Sequence, residues 1–566
     1  MKPILGIWDG HDSGAGLVEN EKILFAVNEE RLTRRKLEMR FPEKSIGMIL
    51  RSGEMSPEDV REIAVPTYDF AKTLARILPY TKEEYYLIRR RKKYPGRLRH
   101  LKKRVKYKLT EFKPNPLFKA VSRHFIAKRL KQMGFEDFRV HLVNHHLAHA
   151  ATAAFCSGFD SCLILTLDGI GDGLSGSVSV LKDGNFKTLS CISGRDSFGI
   201  FFEHVTNSMN MREGEDEGKV MALANYAYPI KDEENPLLSF FKVEGLKVRC
   251  RYETMRMYNE LQKIFWHYPS EQFAYMAQRT LEVRILELVK NAVKETGLRK
   301  IAIAGGVASN VKVNMLIRNL SEVDDCFIFP HMGDGGLALG AAMLVNYNLN
   351  GVTHYDMEDV FLGPDYADSE IEETLKESGL QYRKSEDIVG ETAGIIAEGG
   401  IVLWFQGSME LGPRALGNRS ILALADSQAI KDRLNLQLKK RVWYQPFCPT
   451  MLEEDAGVML EEYNEKPDRF MTMGFMVKPE LREGIQGVIN IDGSCRPQII
   501  PSDDSRYSRL LQKIKELTGK GVVLDTSLNV HGDPMVCSPE DAVETLGKTG
   551  SDYLIMGDYL VWNERK

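Results

Sequence analysis

An apolar strand, a glycine-bearing turn and a returning strand occur twice in this chain, and that repetition narrows its fold more than any other feature. The first copy runs Ile4-Leu5-Gly6-Ile7-Trp8, Asp9-Gly10-His11-Asp12-Ser13-Gly14 and Ala15-Gly16-Leu17-Val18, with a third strand at Ile23 to Val27. Short apolar runs bounded by Gly and Asp are a hairpin signature. The second copy is Cys162-Leu163-Ile164-Leu165-Thr166-Leu167, the turn Asp168 to Gly173 and the strand Gly176 to Leu181, with another strand after Asp183-Gly184-Asn185. Two related halves are therefore expected. Paired hairpins with facing turns form a phosphate-binding cleft, because glycine lets backbone N–H groups approach an anion closely. One Asp-Gly turn alone is as well read as a plain hairpin loop.

Just before the second copy stands Asn144-His145-His146-Leu147-Ala148-His149-Ala150. The alanines through Ala154 favour a helix, which sets His145 and His149 at i and i+4 on one face. Two imidazoles so placed can share a metal ion. Asp168, at the end of the following strand, and Asp334, in His331-Met332-Gly333-Asp334-Gly335-Gly336, offer carboxylates to complete the shell. Two His with carboxylate suits iron(II), manganese or zinc. The competing account is a set of hydrogen-bonded histidines on a partly buried helix, and three histidines within five residues weigh against it. Metalloprotease zinc chemistry is disfavoured, because His146 stands where that motif places its Glu base.

At 566 residues the chain exceeds one hydrophobic core, so two or three domains are expected. With 43% hydrophobic and 27% charged residues it reads as a soluble globular protein, and a net charge of -4 carries no message about partners. Met1 to Gly16 lacks the apolar core of a signal peptide, and no apolar run approaches the ~20 residues of a membrane span, so a cytoplasmic location is expected. None of the eight cysteines forms a C-x-x-C pair, which argues against zinc fingers, a redox dithiol or a disulfide framework. Cys448 and Cys495 lie within motifs described below and can border a pocket without being nucleophiles.

One interval, at about residues 80–115, reads as a basic insertion: it has no acidic residue between Glu84 and Glu111 but carries Arg89-Arg90-Arg91-Lys92-Lys93 and Lys102-Lys103-Arg104. These cations suit either RNA phosphates or a solvated helical excursion, and the modest overall charge favours the second.

Further on, Lys300-Ile301-Ala302-Ile303-Ala304 reads as a strand entering Gly305-Gly306-Val307-Ala308-Ser309-Asn310, with a helix from Val311. A helix N-terminus of that kind is a ready anion contact. Gly335 and Gly336 open a small-residue helix in the same manner, and the two loops together suggest a nucleotide, though each singly suits a structural turn. Asn346 to Asn350 and Phe361-Leu362-Gly363-Pro364 look like a connector, and Glu370 to Glu377 opens an amphipathic helix. The boundary is set near residue 360, giving domains 1–360 and 361–566.

In the second domain, strand Ile401 to Phe405 ends in a Gly-rich stretch bearing Arg414 and Arg419. Guanidiniums beside glycines suit a planar or phosphate anion. Lys439-Lys440-Arg441, Ser494-Cys495-Arg496-Pro497-Gln498 and Thr526-Ser527-Leu528-Asn529-Val530-His531-Gly532 add polar clusters, and a small phosphate compound is the natural ligand.

Taken together, Gly10 to Ser13, His145 to His149, Leu167 to Gly169, Glu217 to Ala224, Gly305 to Ala308 with Asn310, Gly412 to Ser420 and Thr526 to Asn529 resemble the NodU/CmcH family of O-carbamoyltransferases over nearly the whole chain. The resemblance implies an α/β protein. Its N-terminal domain would be of the actin/hexokinase superfamily, like the tRNA threonylcarbamoyladenosine synthases, with a YrdC-like α/β domain after it. It also implies a two-site reaction: carbamoyl phosphate is cleaved in the C-terminal domain, and the carbamate passes internally to the first domain. There ATP, with Mg, gives carbamoyl-adenylate and pyrophosphate before transfer to an acceptor hydroxyl on a small metabolite. A closed passage would protect these labile species from water.

By the same resemblance, Arg414, Lys439, Arg496, Ser527 and Asn529 bind carbamoyl phosphate, and His145, His149, Asp168 and Asp334 hold the divalent metal. Lys219 lies near the nucleotide with Gly305, Gly306, Asn310 and Gly335, while His11 or Asp12 orients or deprotonates the acceptor. A homodimer is compatible with the family but has no pattern in the sequence. One departure stands out: Gln445-Pro446-Phe447 replaces the family's Arg-Pro-Phe, with Lys440 or Arg441 as candidate substitutes for the lost cation. That loss would remove a charge-assisted hydrogen bond of roughly 1.5–3 kcal/mol. Two other readings stay open, a tRNA carbamoyl- or threonylcarbamoyl-transferase motivated by the basic run, and a nucleotide-binding protein without turnover. Hydrogenase-maturation carbamoyltransferases are set aside for want of paired C-x-x-C motifs.

Overall fold

The computed structural model describes residues 2–94, 96, 105, 107–112 and 114–563. It comprises two compact units, Met1–Thr33 with Leu37–Glu358, and Arg34–Lys36 with Asp359–Lys566.

In the first unit, β1 (Ile4–Trp8), β2 (Gly14–Glu19), β3 (Lys22–Asn28), β4 (Glu62–Pro66) and β5 (Arg139–Val143) form a sheet in the order β3-β2-β1-β4-β5. The three leading strands are antiparallel and the last two run parallel to β1. After them come β6 (Cys162–Gly171), β7 (Leu174–Lys182), β8 (Asn185–Ser193), the separate hairpin β9 (Phe241–Glu244) and β10 (Lys247–Cys250), then β11 (Lys300–Ala304) and β12 (Asp325–Ile328). The second sheet, β12-β11-β6-β7-β8, repeats the directions of the first. The two related halves expected from the sequence repeat are present.

Between the sheets run the helices His145–Phe155 and Leu337–Asn350, in contact with each other and with β1 and β6. Small residues allow that packing. A Cβ on Gly340 would stand 2.1 Å from the Ala148 carbonyl oxygen, and one on Gly6 would stand 1.8 Å from that of Ala338. On the first sheet, Leu5, Ile7, Ile63, Val65 and Leu142 bury against Ile49, Ile126 and Leu130 of flanking helices. Burying such side chains contributes about 1.5–3 kcal/mol each relative to exposure.

Two local expectations need correction. β6 continues through Asp168 to Gly171 across an irregular register, so the turn expected over Asp168 to Gly173 contracts to Asp172-Gly173. Asn346 to Asn350 is the last turn of a helix and not a connector, since Gly351 supplies the left-handed residue (φ 75°) that terminates it.

In the basic interval, the arginines Arg89 to Arg91 are held against the fold and not simply solvated. Arg89 donates to the Glu213 carbonyl at 3.1 Å, Arg90 pairs with Glu215, and Arg91 donates to the Asn210 carbonyl at 2.8 Å. Lys102, Lys103 and Arg104 lie outside the described residues.

The second unit contains β13 (Gln381–Lys384), β14 (Val402–Phe405), β15 (Arg419–Leu424), β16 (Cys448–Leu452), β17 (Phe475–Met476), β18 (Ser494–Cys495), β19 (Gln498–Ile500), β20 (Val522–Ser527), β21 (Tyr553–Met556) and β22 (Tyr559–Trp562). β17 and β18 pair alone, and the rest form a mixed sheet, β13-β22-β21-β14-β15-β20-β16-β19. Helices Ile388–Ala397 and Arg506–Thr518 cover it, burying Trp404, Leu422, Val523 and Ile555 with Leu510 and Ile514. The α/β character expected of this region is borne out. No helix of the described residues is long and apolar enough to cross a membrane.

Candidate active site

In the first unit the helix that carries the histidines begins at Asn144, whose side chain accepts the Leu147 N–H at 3.1 Å. That cap fixes the register, and one face then presents His145 and His149, both buried. Their Nε2 atoms and the carboxylates of Asp168 and Asp334 lie within 4.8 Å of one another. His145 Nε2 is 3.1 Å from Asp168 Oδ2 and 3.6 Å from Asp334 Oδ1, and His149 Nε2 is 3.8 and 3.6 Å from the same two atoms. His149 Nε2 is buried without a hydrogen-bond partner. A buried ring nitrogen facing two carboxylates at these distances fits a metal ligand set and explains the orphaned atom, where a hydrogen-bonded core histidine does not.

The surroundings orient these ligands. Thr67 Oγ1 lies 2.9 Å from His145 Nδ1, which leaves Nε2 to face the carboxylates. Asp172 accepts the backbone N–H of His145 at 2.8 Å and of Tyr68 at 2.9 Å. Burial, with Asp69 nearby, lifts the Asp172 carboxyl to about 6. Burial alone would lower the His145 imidazole, yet Asp334 and Asp168 outweigh it and lift it to about 9. Asp168 shows the converse: burial opposes its charge, but the hydrogen bond from His145 and the neighbouring imidazoles hold the carboxyl far below its usual range. His146 turns away to Thr166, with Nδ1 3.1 Å from its Oγ1, and burial pushes it down to about 3.

Two glycines assigned to the nucleotide serve this centre as well. Gly306 donates its N–H to Asp168 Oδ1 at 2.8 Å, and a Cβ on Gly305 (φ 99°) would stand 2.2 Å from the Leu167 carbonyl oxygen. A Cβ on Gly335 would stand 2.0 Å from His331 Nε2. Asn310 caps the helix Val311–Arg318 and exchanges two hydrogen bonds with Gln278, so its amide is committed within the fold. Lys219 pairs with Asp216 at 2.7 Å, and among the described contacts none joins it to the histidines.

His11 and Asp12 stand next to the centre through intermediaries. The Trp8 indole donates to the His11 carbonyl at 2.6 Å and packs edge-on against the His145 ring, centroids 6.0 Å apart. Asn28 donates to the Asp12 carbonyl at 3.1 Å and accepts from His331 Nε2 at 2.9 Å.

In the second unit, Lys439 is buried, and its ammonium donates to the Ser527 carbonyl, to the Asn529 carbonyl at 2.9 Å and to Asn529 Oδ1 at 2.8 Å. Ser527 donates to the same Oδ1 at 2.8 Å. Burial, then the charges of Arg441 and Lys36, hold the Lys439 ammonium well below its usual range. Arg496 donates through Nε and Nη2 to Cys448 Sγ at 3.1 and 2.9 Å. Burial, then repulsion from Arg496, lowers Arg414 to about 9; burial likewise lowers Arg441 to about 9, with Cys448 opposing and Arg496 adding to the effect. Of the five sequence-assigned residues, Lys439 thus contacts Ser527 and Asn529, while Arg414 and Arg496 are near enough for their charges to repel.

Arg419 departs from the sequence reading. It is wholly buried, donates to the carbonyls of Gln406 and Gly407, and stacks 3.7 Å over the Phe405 ring. Its Nη1 and Nη2 therefore hold the Gly-rich loop, while Nε is buried without a partner.

Family models for the carbamoyltransferase N-terminus and C-terminus match residues 3–343 and 393–563. The chain belongs to the carbamoyltransferase family. The carbamoyltransferase is 32% identical to the uncharacterized protein MJ1058 of Methanocaldococcus jannaschii, over 99% of both chains. It is 30% identical to the nodulation protein NolNO of Sinorhizobium fredii, over 97% of this chain and 79% of that one. Among solved structures, T. kodakarensis HypF is 18% identical with a TM-score of 0.34, covering 62% of this chain and 48% of the other.

Sequence reasoning placed Arg441 in a polar cluster and weighed it as a substitute cation, and gave Asp172 and Thr67 no role. In the carbamoyltransferase, Arg441 lies 4.2 Å over the Phe447 ring, donates to Asn435 Oδ1 at 2.6 Å and shares the Cys448 neighbourhood with Arg496. Gln445 Oε1 is buried without a partner. The signal for Arg441 was its place in the Lys439-Lys440-Arg441 run.

Proposed function

We propose that this carbamoyltransferase is ATP-dependent, forms carbamoyl-adenylate from carbamoyl phosphate, and transfers the carbamoyl group to a hydroxyl of a small metabolite. The observation that carries the reading is the convergence of three half-buried guanidiniums, Arg414, Arg441 and Arg496, with the buried Lys439 close to Arg441. Buried positive charges that repel one another are costly unless an anion joins them, and the doubly charged phosphate of carbamoyl phosphate supplies that anion.

In the second unit, the guanidiniums neutralise the phosphate in bidentate fashion. Ser527 and Asn529 fix the Lys439 nitrogen beside the guanidiniums, where a bound anion favours its charged form. Hydrolysis there leaves inorganic phosphate and carbamate. In the first unit a carbamate oxygen attacks the α-phosphorus of ATP and displaces pyrophosphate. The acceptor oxygen then attacks the carbamoyl carbon and AMP leaves with the bonding pair.

His145, His149, Asp168 and Asp334 would hold a divalent metal, iron(II), manganese or zinc. Such an ion supplies positive charge that offsets nucleotide phosphate charge. Gly306 and Thr67 keep Asp168 and His145 in orientation for it, and His11 or Asp12 takes the acceptor proton. The docking of Arg89, Arg90 and Arg91 onto residues 210–215 commits these three cations of the basic run within the fold, which favours a small acceptor over tRNA.

The test is pyrophosphate release from ATP by purified, metal-loaded protein. Release that requires carbamoyl phosphate supports the reading, and ATP turnover indifferent to carbamoyl phosphate refutes it.

A further inference from the structure

In the second unit, the stretch from Glu410 to Arg419 carries the half-buried Arg414. Among the described residues no hydrogen bond or ion pair holds the Arg414 guanidinium, and the charge of Arg496 repels it. Its place therefore depends on the backbone that bears it, and one buried carboxylate organises that backbone.

Glu410 is 2% exposed, and its Oε1 accepts the backbone N–H groups of Leu416 at 3.0 Å, Asn418 at 2.7 Å and Arg419 at 2.9 Å. Backbone N–H groups that converge on one anionic oxygen bend the chain into a concave turn around it. Each such bond is stronger than one between neutral groups. Other groups of the turn are engaged as well: the Gly417 N–H donates to Ser420 Oγ at 3.1 Å, and the Trp404 indole donates to the Gly417 carbonyl at 2.7 Å. Gly417 takes φ 107°, where a Cβ would stand 2.3 Å from the Tyr507 ring, so the turn admits no side chain there. Gln498 donates to the Leu416 carbonyl at 3.0 Å from the start of β19, just beyond Arg496, and so ties the turn to the strand that follows the second guanidinium.

The other oxygen of Glu410, Oε2, is buried without a hydrogen-bond partner. The Glu410 charge acts on the Arg419 guanidinium and favours the charged form that burial opposes. No carboxylate figures among the charges that act on Arg414, which feels only Arg496 and Cys448. The carboxylate of this loop is thus matched to the arginine that holds the loop, and the arginine at its bend keeps its charge for a ligand.

We propose that Glu410 is a positioning residue for the anion site. By gathering the N–H groups of Leu416, Asn418 and Arg419 it sets the bend that keeps Arg414 close to Arg496 against their repulsion, so that both guanidiniums reach one phosphate. That the anion is carbamoyl phosphate rests on the reading above, whereas the bend around Glu410 does not.

Calorimetric titration of the full-length protein with carbamoyl phosphate and with inorganic phosphate tests the role. Arg414→Ala is expected to weaken the bound anion about 10–100-fold, the loss of one charged hydrogen-bonding group, and Glu410→Ala about as much. The double variant is expected to bind no more weakly than Arg414→Ala, because a residue that acts only through Arg414 has nothing left to act on. Glu410→Gln keeps an oxygen for the N–H groups and is expected to retain most of the affinity. Glu410→Asp keeps the charge beside Arg419 but draws the oxygen back by one carbon; it is expected to weaken the anion several-fold with the same lack of additivity, and it serves where Glu410→Ala does not fold. Unchanged affinity in both Glu410→Ala and Glu410→Asp, losses that add to that of Arg414→Ala, or a Glu410→Gln variant as weak as Glu410→Ala overturns the proposal. A parent protein that binds neither anion removes the carbamoyl phosphate reading as well, whereas binding by the parent with additive losses removes the positioning role alone.

Discussion

The backbone N–H of Gly306 donates to Asp168 Oδ1 at 2.8 Å, while Asp168 Oδ2 faces His145 Nε2 at 3.1 Å. One oxygen is thus anchored by a loop from β11 and the other is left for the cluster. A Cβ at position 306 would come within 2.9 Å of that anchored oxygen.

Gly306→Ala is therefore expected to rotate Asp168 and lower metal affinity about 10–100-fold, the usual cost of losing an orienting partner. Competitive chelator titration measures it. Thermal unfolding should be little changed, since position 306 has no left-handed backbone requirement.

His149→Ala removes the buried nitrogen that lacks a partner. Metal content by elemental analysis should fall to a small fraction of the parent protein, and pyrophosphate release should fall by about 100-fold or more, in line with loss of a charge-stabilising group. Chelator treatment of the parent should reproduce the loss, and re-addition of one of iron(II), manganese or zinc should reverse it only in the parent.

Arg441→Gln should raise KM for carbamoyl phosphate about 10–100-fold, corresponding to a charged hydrogen bond of about 1.5–3 kcal/mol. Adding Gln445→Arg to that variant should recover most of the affinity if both positions serve one anion. Steady-state kinetics at saturating ATP reads both effects.

Asp525 is buried on β20, where it accepts from Tyr507 at 2.8 Å, and burial lifts its carboxyl to about 7. Between the ordinary carboxylate range near 4 and that value, the folded protein keeps a proton that the unfolded chain has lost. Stability from this group therefore falls as pH rises through the window, by about 1.4 kcal/mol per pH unit at most, and levels off above about 7. Asp525→Asn should flatten that part of the urea-unfolding profile relative to the parent.

Much of this molecule was legible along the chain because it depends on near neighbours. The short apolar runs at Ile4 and Cys162 became β1 and β6 with their partners, and the i, i+4 spacing of His145 and His149 followed once Asn144 capped the helix. Arg414 and Arg419 could not be told apart on the same ground. Both sit among glycines, yet Arg419 is enclosed by carbonyls from Gln406 and Gly407, a relationship created only when the loop folds back.

Local sequence settled which segments are strand or helix and that two halves repeat, because backbone propensity, turn chemistry and side-chain spacing act over a few residues. The tertiary structure alone decided that Thr67 meets His145 and that Lys72, Arg76 and Lys82 converge on Asp9. Those meetings depend on burial and charge between distant segments, and neither has a periodicity that a chain can display.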